Sequence, residues 1–453
     1  MEPRAPCVVN QRLTKLARAI AQCAAQAQDC GVSGWRGKFV KTRGLLVAAV
    51  GALGIVAAHT PAHANSNVEA SLPRFAPLVF YVARATGGCG EDCDEWIAAE
   101  GGFDLGSADR LRAFLRKFPG RTPPIYFQSP GGIQEEAIAI GRLMHERGMT
   151  AGVARTLPFG CAPGKESGER CLALKRSGQP VAAELRSTGA SCSSACVYAL
   201  LGARTRFVPP DARLGVHASR RVHVYPDGRV TRTGADDGRL AEATSELKDY
   251  VQEMGVDVAL IDTAFKIKFS DAYFLSRNEI VHFGIDTRAF QETRWTVLDA
   301  ASRRPSAFKL VVETHGRKDV ATSLVQLACT AHGEIRIGYV RPVEANEIAP
   351  AVVRVLGGDH HATFARPGPM VRISALDSAA LFEPRAALAS IDFLEAAAAA
   401  GSLTITEASL QPDSPRAITL STAGLPEAIA VLRKSCGQQS LASAHRFDAP
   451  GRT

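Results

Sequence analysis

Apolar positions downstream of residue 74 fall into short blocks that alternate between two periods. "FAPLVFYVAR", Phe75–Arg84, is a mostly apolar run and predicts a strand, followed by the cysteine-bearing turn "GGCGEDCDEW". In "SADRLRAFLRKF", Ser107–Phe118, the positions Leu111, Phe114, Leu115 and Phe118 fall on one helical face, with Ser107 as N-cap. "TPPIYFQSPGG" reads as a short strand ending in a glycine pair. The helix "IQEEAIAIGRLMHERG" follows, with Ile138, Leu143 and Met144 inward and Gly148 at its end, and "MTAGVAR" is the next strand. Strand, helix and strand in that order imply a parallel pair with a crossover helix.

Residues 157–188 interrupt the pattern with a polar loop. "SACVYALLGA" is then an apolar helix, and "TRFVPPDARLGVHAS" a strand, a turn and a strand. Three more helical stretches follow, "GRLAEATSELKDYVQEMGV", "VALIDTAFKI" and "SRNEIVHFGIDTRAF", the last closing near Gly284. The polar break "DAASRRPS" predicts a domain boundary. Beyond it lie β-rich patterns such as "FKLVVET" and "EIRIGYV", and the helix-to-strand segment "IDFLEAAAAAGSLTI" with Gly401 as its stop. The class is α/β: residues 1–64 an extension and export signal, 65–300 a first domain, and 301–453 a smaller β-rich α+β domain.

Charge removes one function class. The net charge is +8, but the first 64 residues carry +6 of it, so the remaining 389 are nearly neutral at +2. A face that grips nucleic-acid phosphates needs a dense basic patch, and this body lacks the charge for one. The positive excess sits where an export signal needs it. Lys41 and Arg43 precede an apolar run from Gly44 to Ala58, and a small-x-small ending follows at Ala62-His63-Ala64. The run is shorter than the ~20 residues of a membrane span. Cleavage after Ala64 and a periplasmic or secreted location are expected, with membrane contact only through an uncleaved signal. Residues 1–39 are unusual ahead of a signal and suggest a start near Val40.

Eight of eleven cysteines follow the cleavage position: Cys89, Cys93, Cys161, Cys171, Cys192, Cys196, Cys329 and Cys436. An even number in an oxidising compartment favours disulfides, and no ligand spacing for zinc is present. Cys161 and Cys171 bound a loop rich in Gly, Pro and charge, and a Cys329–Cys436 bond would staple the C-terminal region. Cys192 and Cys196 have several readings: bonded to each other, bridged to the Cys161–Cys171 loop, or buried as small hydrophobes, with a thiol nucleophile as a further option. The histidines of "GGDHHATF", His360 and His361, read as loop residues beside Asp359 rather than metal ligands. No metal and no cofactor is expected, and no nucleotide-binding glycine fingerprint occurs.

Acyl transfer by a serine needs a base, donors for the oxyanion and a group that orients the base. "SPGG" puts consecutive glycine N–H groups where a strand turns into a helix. Ser194 opens an apolar helix in "GASCSSACVYALLGA", and His217 ends the strand of "RLGVHAS". Taken in order, "IYFQSPGG…EEAIAIGRLM", "GASCSSACVYALLGA", "RFVPPDARLGVH" and "YFLSRNEIVHFGID" resemble the Clp-protease/crotonase superfamily, and more closely the ClpP-like exported proteins of bacteria. "CGEDCDEWIAAEGGF" and the Cys-x-Ser-Ala-Cys motif at Cys192–Cys196 strengthen that likeness, which spans roughly residues 75–290. The resemblance implies a spiral of ββα units. It also implies Ser194 as nucleophile (Ser193 as alternative), His217 as general base, and N–H groups of Gly131 or Gly132 and Ala195 as the oxyanion hole. Asp271 is the candidate third member, one position early against the family pattern, and Asp286 has a structural role. A peptide or small acyl substrate and a homo-oligomer are implied. The rivals are a non-catalytic binding frame and crotonase-type acyl-thioester chemistry.

Overall fold

The computed structural model describes residues 75–85, 95–120, 122–161, 166, 168–219, 222–224, 230–232, 237–298, 300, 305–316, 319–330, 332–343, 350–373, 377–408 and 416–447. The signal segment, Cys89 and Cys93 lie outside them. Among the described residues the chain is a mixed α/β protein with several sheets.

The first sheet is built from β1 (Val79–Arg84), β2 (Glu95–Glu100), β3 (Ile125–Gln128), β4 (Thr150–Val153), β5 (Arg155–Pro158), β6 (Val181–Arg186) and β8 (Thr205–Phe207), with β7 (Ser191–Ser193) leaving it. Its order is β5-β6-β1-β2-β3-β4-β8. β2, β3, β4 and β8 run parallel, as do β1 and β6; β1 is antiparallel to β2, and β5 to β6. Two of these strands depart from the sequence reading. β2 has no counterpart in the sequence reading, its first two residues falling in the expected turn, because Trp96, Ile97, Ala98 and Ala99 are buried on both faces and show no alternation to read. The polar loop of 157–188 holds β6 and a short helix, since only Val181 and Ala183 of the strand face inward.

Helix α1 (Ser107–Leu115) buries Leu111 and Leu115, and α2 (Gln134–Glu146) buries Ala137, Ile140, Leu143 and Met144. The N-cap of α1 is Gly106, not Ser107. Ser107 is fully buried and bonded to Asp104, while the Glu136 carboxylate at the start of α2 accepts from the N–H groups of Gly106 and Ala108 at 2.8 and 2.9 Å. The remaining helices are α3 (Glu169–Lys175), α4 (Ala195–Leu201), α5 (Asp237–Glu253), α6 (Ala259–Phe265) and α7 (Arg277–His282). α4 is buried along its whole length and lies hard against α2. A side chain on Gly202 would meet the Gly141 backbone at 2.1 Å, so only glycine permits the approach.

A second, small sheet stands off the end of β3. β7 pairs in parallel with β9 (Arg213–Val216), which pairs antiparallel with β12 (Tyr273–Phe274); the hairpin β10 (Val222–Val224) and β11 (Val230–Arg232) lies between these in sequence. A parallel bridge, Ser129 to Cys192, joins this sheet to β3. The strand ends that carry "SPGG", "SCSS" and "GVH" therefore converge.

Further along, β13 (Phe290–Glu292), β14 (Thr296–Leu298), β15 (Ser306–His315), β16 (Asp319–Cys329) and β17 (Ile335–Val343) begin a seven-stranded sheet. A four-stranded sheet of β18 (Val352–Gly357), β19 (His360–Thr363), β22 (Ser402–Ala408) and β23 (Arg416–Ser421) accompanies it. β20 (Val371–Ile373) and β21 (Asp377–Ala389) complete the larger one. β18 alternates exposed and buried positions and β22 half-buried and buried ones, the pattern of strands with one face in a core. His360 and His361 lie on β19 rather than in a loop, because the turn falls at Gly358–Asp359. Helices α8 (Ile391–Ala400), capped by Ser390 and closed by Gly401, and α9 (Leu425–Phe447) pack on this part. One apolar cluster draws on residues from Leu78 to Ile285, and another on Trp295 to Cys436.

Candidate active site

The strand-to-helix corner between β7 and α4 is the strained point of the fold. Ser194 has φ 55 and ψ −127, and it is the one non-glycine residue with positive φ among the described residues. Such a backbone costs on the order of 1–3 kcal/mol and persists only where the surroundings enforce it. Here the Ser194 N–H donates to the Gly215 carbonyl of β9 at 2.7 Å, and the Ser193 N–H donates to the Ser129 carbonyl at 3.0 Å. The half-buried serine is thus presented at the mouth of a buried helix, the geometry of a nucleophile on a sharp turn.

Gly131 and Gly132 face that corner. Both have positive φ, at 106 and 140. A Cβ on Gly131 would meet Ser194 Cβ at 2.6 Å and its Oγ at 3.1 Å; one on Gly132 would meet the Phe103 carbonyl at 2.2 Å. Backbone alone fits between the "SPGG" turn and the serine. The Gly131 N–H is already engaged, donating to Ser129 Oγ at 3.1 Å, whereas the N–H groups of Gly132 and Ala195 take no partner among the described residues.

His217 follows β9 directly, two residues beyond the Gly215 that anchors Ser194. Its Nδ1 lies 2.9 Å from the Ala218 carbonyl. A carbonyl can only accept, so Nδ1 carries the proton and Nε2 is left as the basic nitrogen. Phe269 packs edge-on against the imidazole at 5.1 Å, and the Ala218 N–H donates to the Ile267 carbonyl at 2.9 Å. No hydrogen bond joins Ser194 Oγ to His217 among the described residues.

Asp271 is exposed, and its carboxylate accepts from Ser270 at 3.4 Å. The structure records no contact between it and His217. β12 pairs Tyr273 with Val216 and the pairing ends there; Asp271 lies in a turn, its N–H donating to the Lys268 carbonyl at 2.9 Å. Asp286 is buried, accepting from the Val208 N–H at 2.7 Å and paired with Arg288. With Arg277, whose guanidinium donates to the Pro209 carbonyl at 2.8 Å, it holds the turn that feeds β9. Burial draws the Arg277 guanidinium down to about 10, opposed by Asp286.

No family model matches the chain, and no curated protein does. Among solved structures, the chain is similar to a membrane-bound stomatin-specific protease, with 15% identity, TM-score 0.25, and coverage of 42% of this chain and 75% of the other. A second structure of that protease, with a substrate peptide, gives 15%, 0.25, 42% and 71%. ClpP1 from Listeria monocytogenes gives 16% identity, TM-score 0.24, and coverage of 40% and 80%.

Among the described residues three disulfides are formed: Cys161–Cys171, Cys192–Cys196 and Cys329–Cys436. Of the open readings for Cys192 and Cys196, bonding to each other is the one realised, which removes a thiol nucleophile. Among the described residues no group of His, Cys, Asp and Glu could hold a metal, and no helix is long and apolar enough to cross a membrane. Behind the site, Tyr250 donates to the Tyr198 carbonyl at 2.8 Å, and Ser219 is bonded to Gln134 at the start of α2. Burial pushes the Tyr198 hydroxyl up to about 12, while its bond with Ser219 acts in the opposite direction. Ser129, Gly215 and Phe269 went unnoticed in the sequence. Ser129 stands inside the quoted "SPGG", and its hydroxyl beside a glycine pair was the available signal.

Proposed function

We propose that the chain is an exported serine hydrolase of peptide or other acyl bonds, built on a ClpP/crotonase-type spiral. The observation that carries this reading is Ser194, held at positive φ on a strand-to-helix corner with two glycines pressed against it. Ser194 Oγ attacks the acyl carbon, and His217 Nε2 takes its proton. The Ala218 carbonyl holds the imidazole in the required tautomer, the task an aspartate performs in a triad. The oxyanion rests on the N–H groups of Gly132 and Ala195 rather than Gly131, whose N–H is occupied. The Ser194–His217 bond forms with substrate in place, since such bonds tighten on going to the complex.

Three disulfides accord with an oxidising compartment, and export through a signal cleaved after Ala64 belongs to the same reading. Outside the cytoplasm no ATP-driven unfoldase feeds the site, so short or unfolded peptides are the proposed substrates, with self-association as in Clp subunits.

The missing Ser194–His217 hydrogen bond favours a second reading, a binding frame without chemistry. A fluorophosphonate probe and a chromogenic ester separate the two. The hydrolase reading expects the wild type to be labelled at Ser194, and Ser194→Ala to lose hydrolysis by about 10⁴-fold. Hydrolysis that survives in Ser194→Ala overturns it; a wild type that neither labels nor turns over leaves the binding frame.

A further inference from the structure

We infer that the Cys192–Cys196 disulfide is a positioning clamp that fixes the backbone of Ser194 at the corner between β7 and α4; the inference rests on Ser194 being the functional residue of this site. The bond encloses Ser193, Ser194 and Ala195, so the single strained serine sits at the centre of the ring it closes. Four residues of extended chain would part the two Cα atoms by about 13–14 Å. Here they are 5.3 Å apart. The cross-link therefore admits only conformations in which the chain doubles back between 192 and 196. The positive φ of Ser194 is how this chain does so.

Both ends of the clamp are fixed independently of the corner. Cys192 lies in β7, in register with Leu214 of β9 and bridged to Ser129. Cys196 lies in the first turn of α4, whose seven residues are all buried. Both cysteines are fully buried, so the bond is shielded from thiols in the folded state and stays intact through any turnover. Without it, three backbone hydrogen bonds are left to hold the corner: the Ser194 N–H to the Gly215 carbonyl, the Ser193 N–H to the Ser129 carbonyl, and the Val197 N–H to the Ser194 carbonyl. Relaxation of Ser194 to an ordinary φ swings Oγ off Gly131 and away from the oxyanion amides. The residues of the clamp touch no substrate; they act through the serine they flank.

The test uses the full chain carrying Cys192→Ala and Cys196→Ala, with the other disulfides formed, and Cys161→Ala/Cys171→Ala as control. Amide hydrogen exchange is followed over residues 190–197 and, for reference, over α2. Exchange at the corner rises about tenfold or more with α2 unchanged, while the control leaves the corner protected. Probe labelling of Ser194 and kcat fall about a hundredfold, with KM and the pH profile retained, as expected when a nucleophile is displaced. Unchanged exchange at the corner in a folded variant overturns the clamp, whatever the activity. If the double variant does not fold, the wild type is reduced stepwise with a phosphine under conditions that keep its helical signal. Corner exchange should then rise in step with alkylation of Cys192 and Cys196; alkylation of both with a protected corner overturns the proposal. A wild type without labelling or turnover, whose corner still loosens, sinks the hydrolase reading and leaves the clamp standing.

Discussion

The Cys192–Cys196 bond joins residues four apart, and the Cys329–Cys436 bond joins residues 107 apart, yet each holds its two Cα atoms at nearly the same spacing, 5.3 and 5.4 Å. A cross-link restricts the unfolded chain in proportion to the logarithm of the loop it closes. The loop-entropy relation gives about 2 kcal/mol for the short loop and about 5 kcal/mol for the long one. The short bond spans the strained serine, and the long one ties the end of β16 to α9 in a part that holds buried ion pairs. There Glu383 pairs with Arg341 and Arg385, and Glu407 with Tyr339 and Arg416, all in or near the core. Among the described residues the one positive-φ non-glycine backbone, Ser194, lies in the N-terminal part, whereas the ion pairs buried at both ends, Arg341–Glu383 and Arg385–Glu383, lie in the C-terminal part.

The largest effect that can break this contrast comes from the long bond. Cys329→Ala/Cys436→Ala should lower stability by about 5 kcal/mol in denaturant unfolding. Probe labelling of Ser194 in the still-folded fraction should be unchanged. Loss of labelling at full foldedness would mean that the two parts are coupled and the division is wrong.

A smaller cost in stability, with a larger one in chemistry, is expected at Gly131. Gly131→Ala forces a Cβ to 2.6 Å from Ser194 Cβ and asks an L-residue to hold φ 106. About 2 kcal/mol of destabilisation follows from the backbone and the displaced neighbour. Ester hydrolysis should fall about a hundredfold, because the serine must move for the methyl to fit. Unfolding curves and single-turnover rates on one preparation measure both; a folded variant with wild-type turnover would remove Gly131 from the site.

Much of this geometry was legible in the sequence, and the illegible parts share a cause. The parallel strand-helix-strand unit, the glycine pair and the serine at a helix mouth are local, carried by residues close in sequence. β2 escaped notice because a strand buried on both faces has no alternation, and β6 because it lies among polar residues. How Asp271 stands to His217 depends on the antiparallel pairing of β12 with β9, Tyr273 opposite Val216 some 57 positions apart, and on the turn that bonds Asp271 to Lys268, and no local pattern encodes the first. The Ala218 carbonyl at His217 is a backbone group, and side-chain identity gives no sign of it.

The mildest effect is expected at Asp211, on the turn before β9, and it asks whether the part that holds the strained serine also holds an uncompensated buried charge. Its Oδ2 accepts from the Thr188 hydroxyl at 2.5 Å, and Thr188 in turn contacts the Thr296 hydroxyl at 3.2 Å; its Oδ1 is buried without a partner. Burial pushes this carboxyl up, with bonds from Thr188 and Ser187 and the charge of Arg277 acting in the opposite direction. A carboxyl whose folded value is raised favours folding only while protonated, so its contribution is complete below the ordinary carboxylate range and is lost as pH rises through the folded value. At neutral pH it is a liability. Asp211→Asn keeps the shape, removes the charge and offers an N–H₂ in place of one oxygen. Stability at pH 7 should rise by on the order of 1 kcal/mol. The gain should vanish as pH falls below about 3.9, where the wild-type carboxyl is protonated both folded and unfolded. Urea unfolding of both proteins across that span gives the comparison directly. A variant less stable than wild type at pH 7 would show that Arg277 outweighs burial and holds Asp211 as a working ion pair. The turn ahead of His217 would then be compensated like the C-terminal core, and the contrast between the two parts would be confined to Ser194 alone.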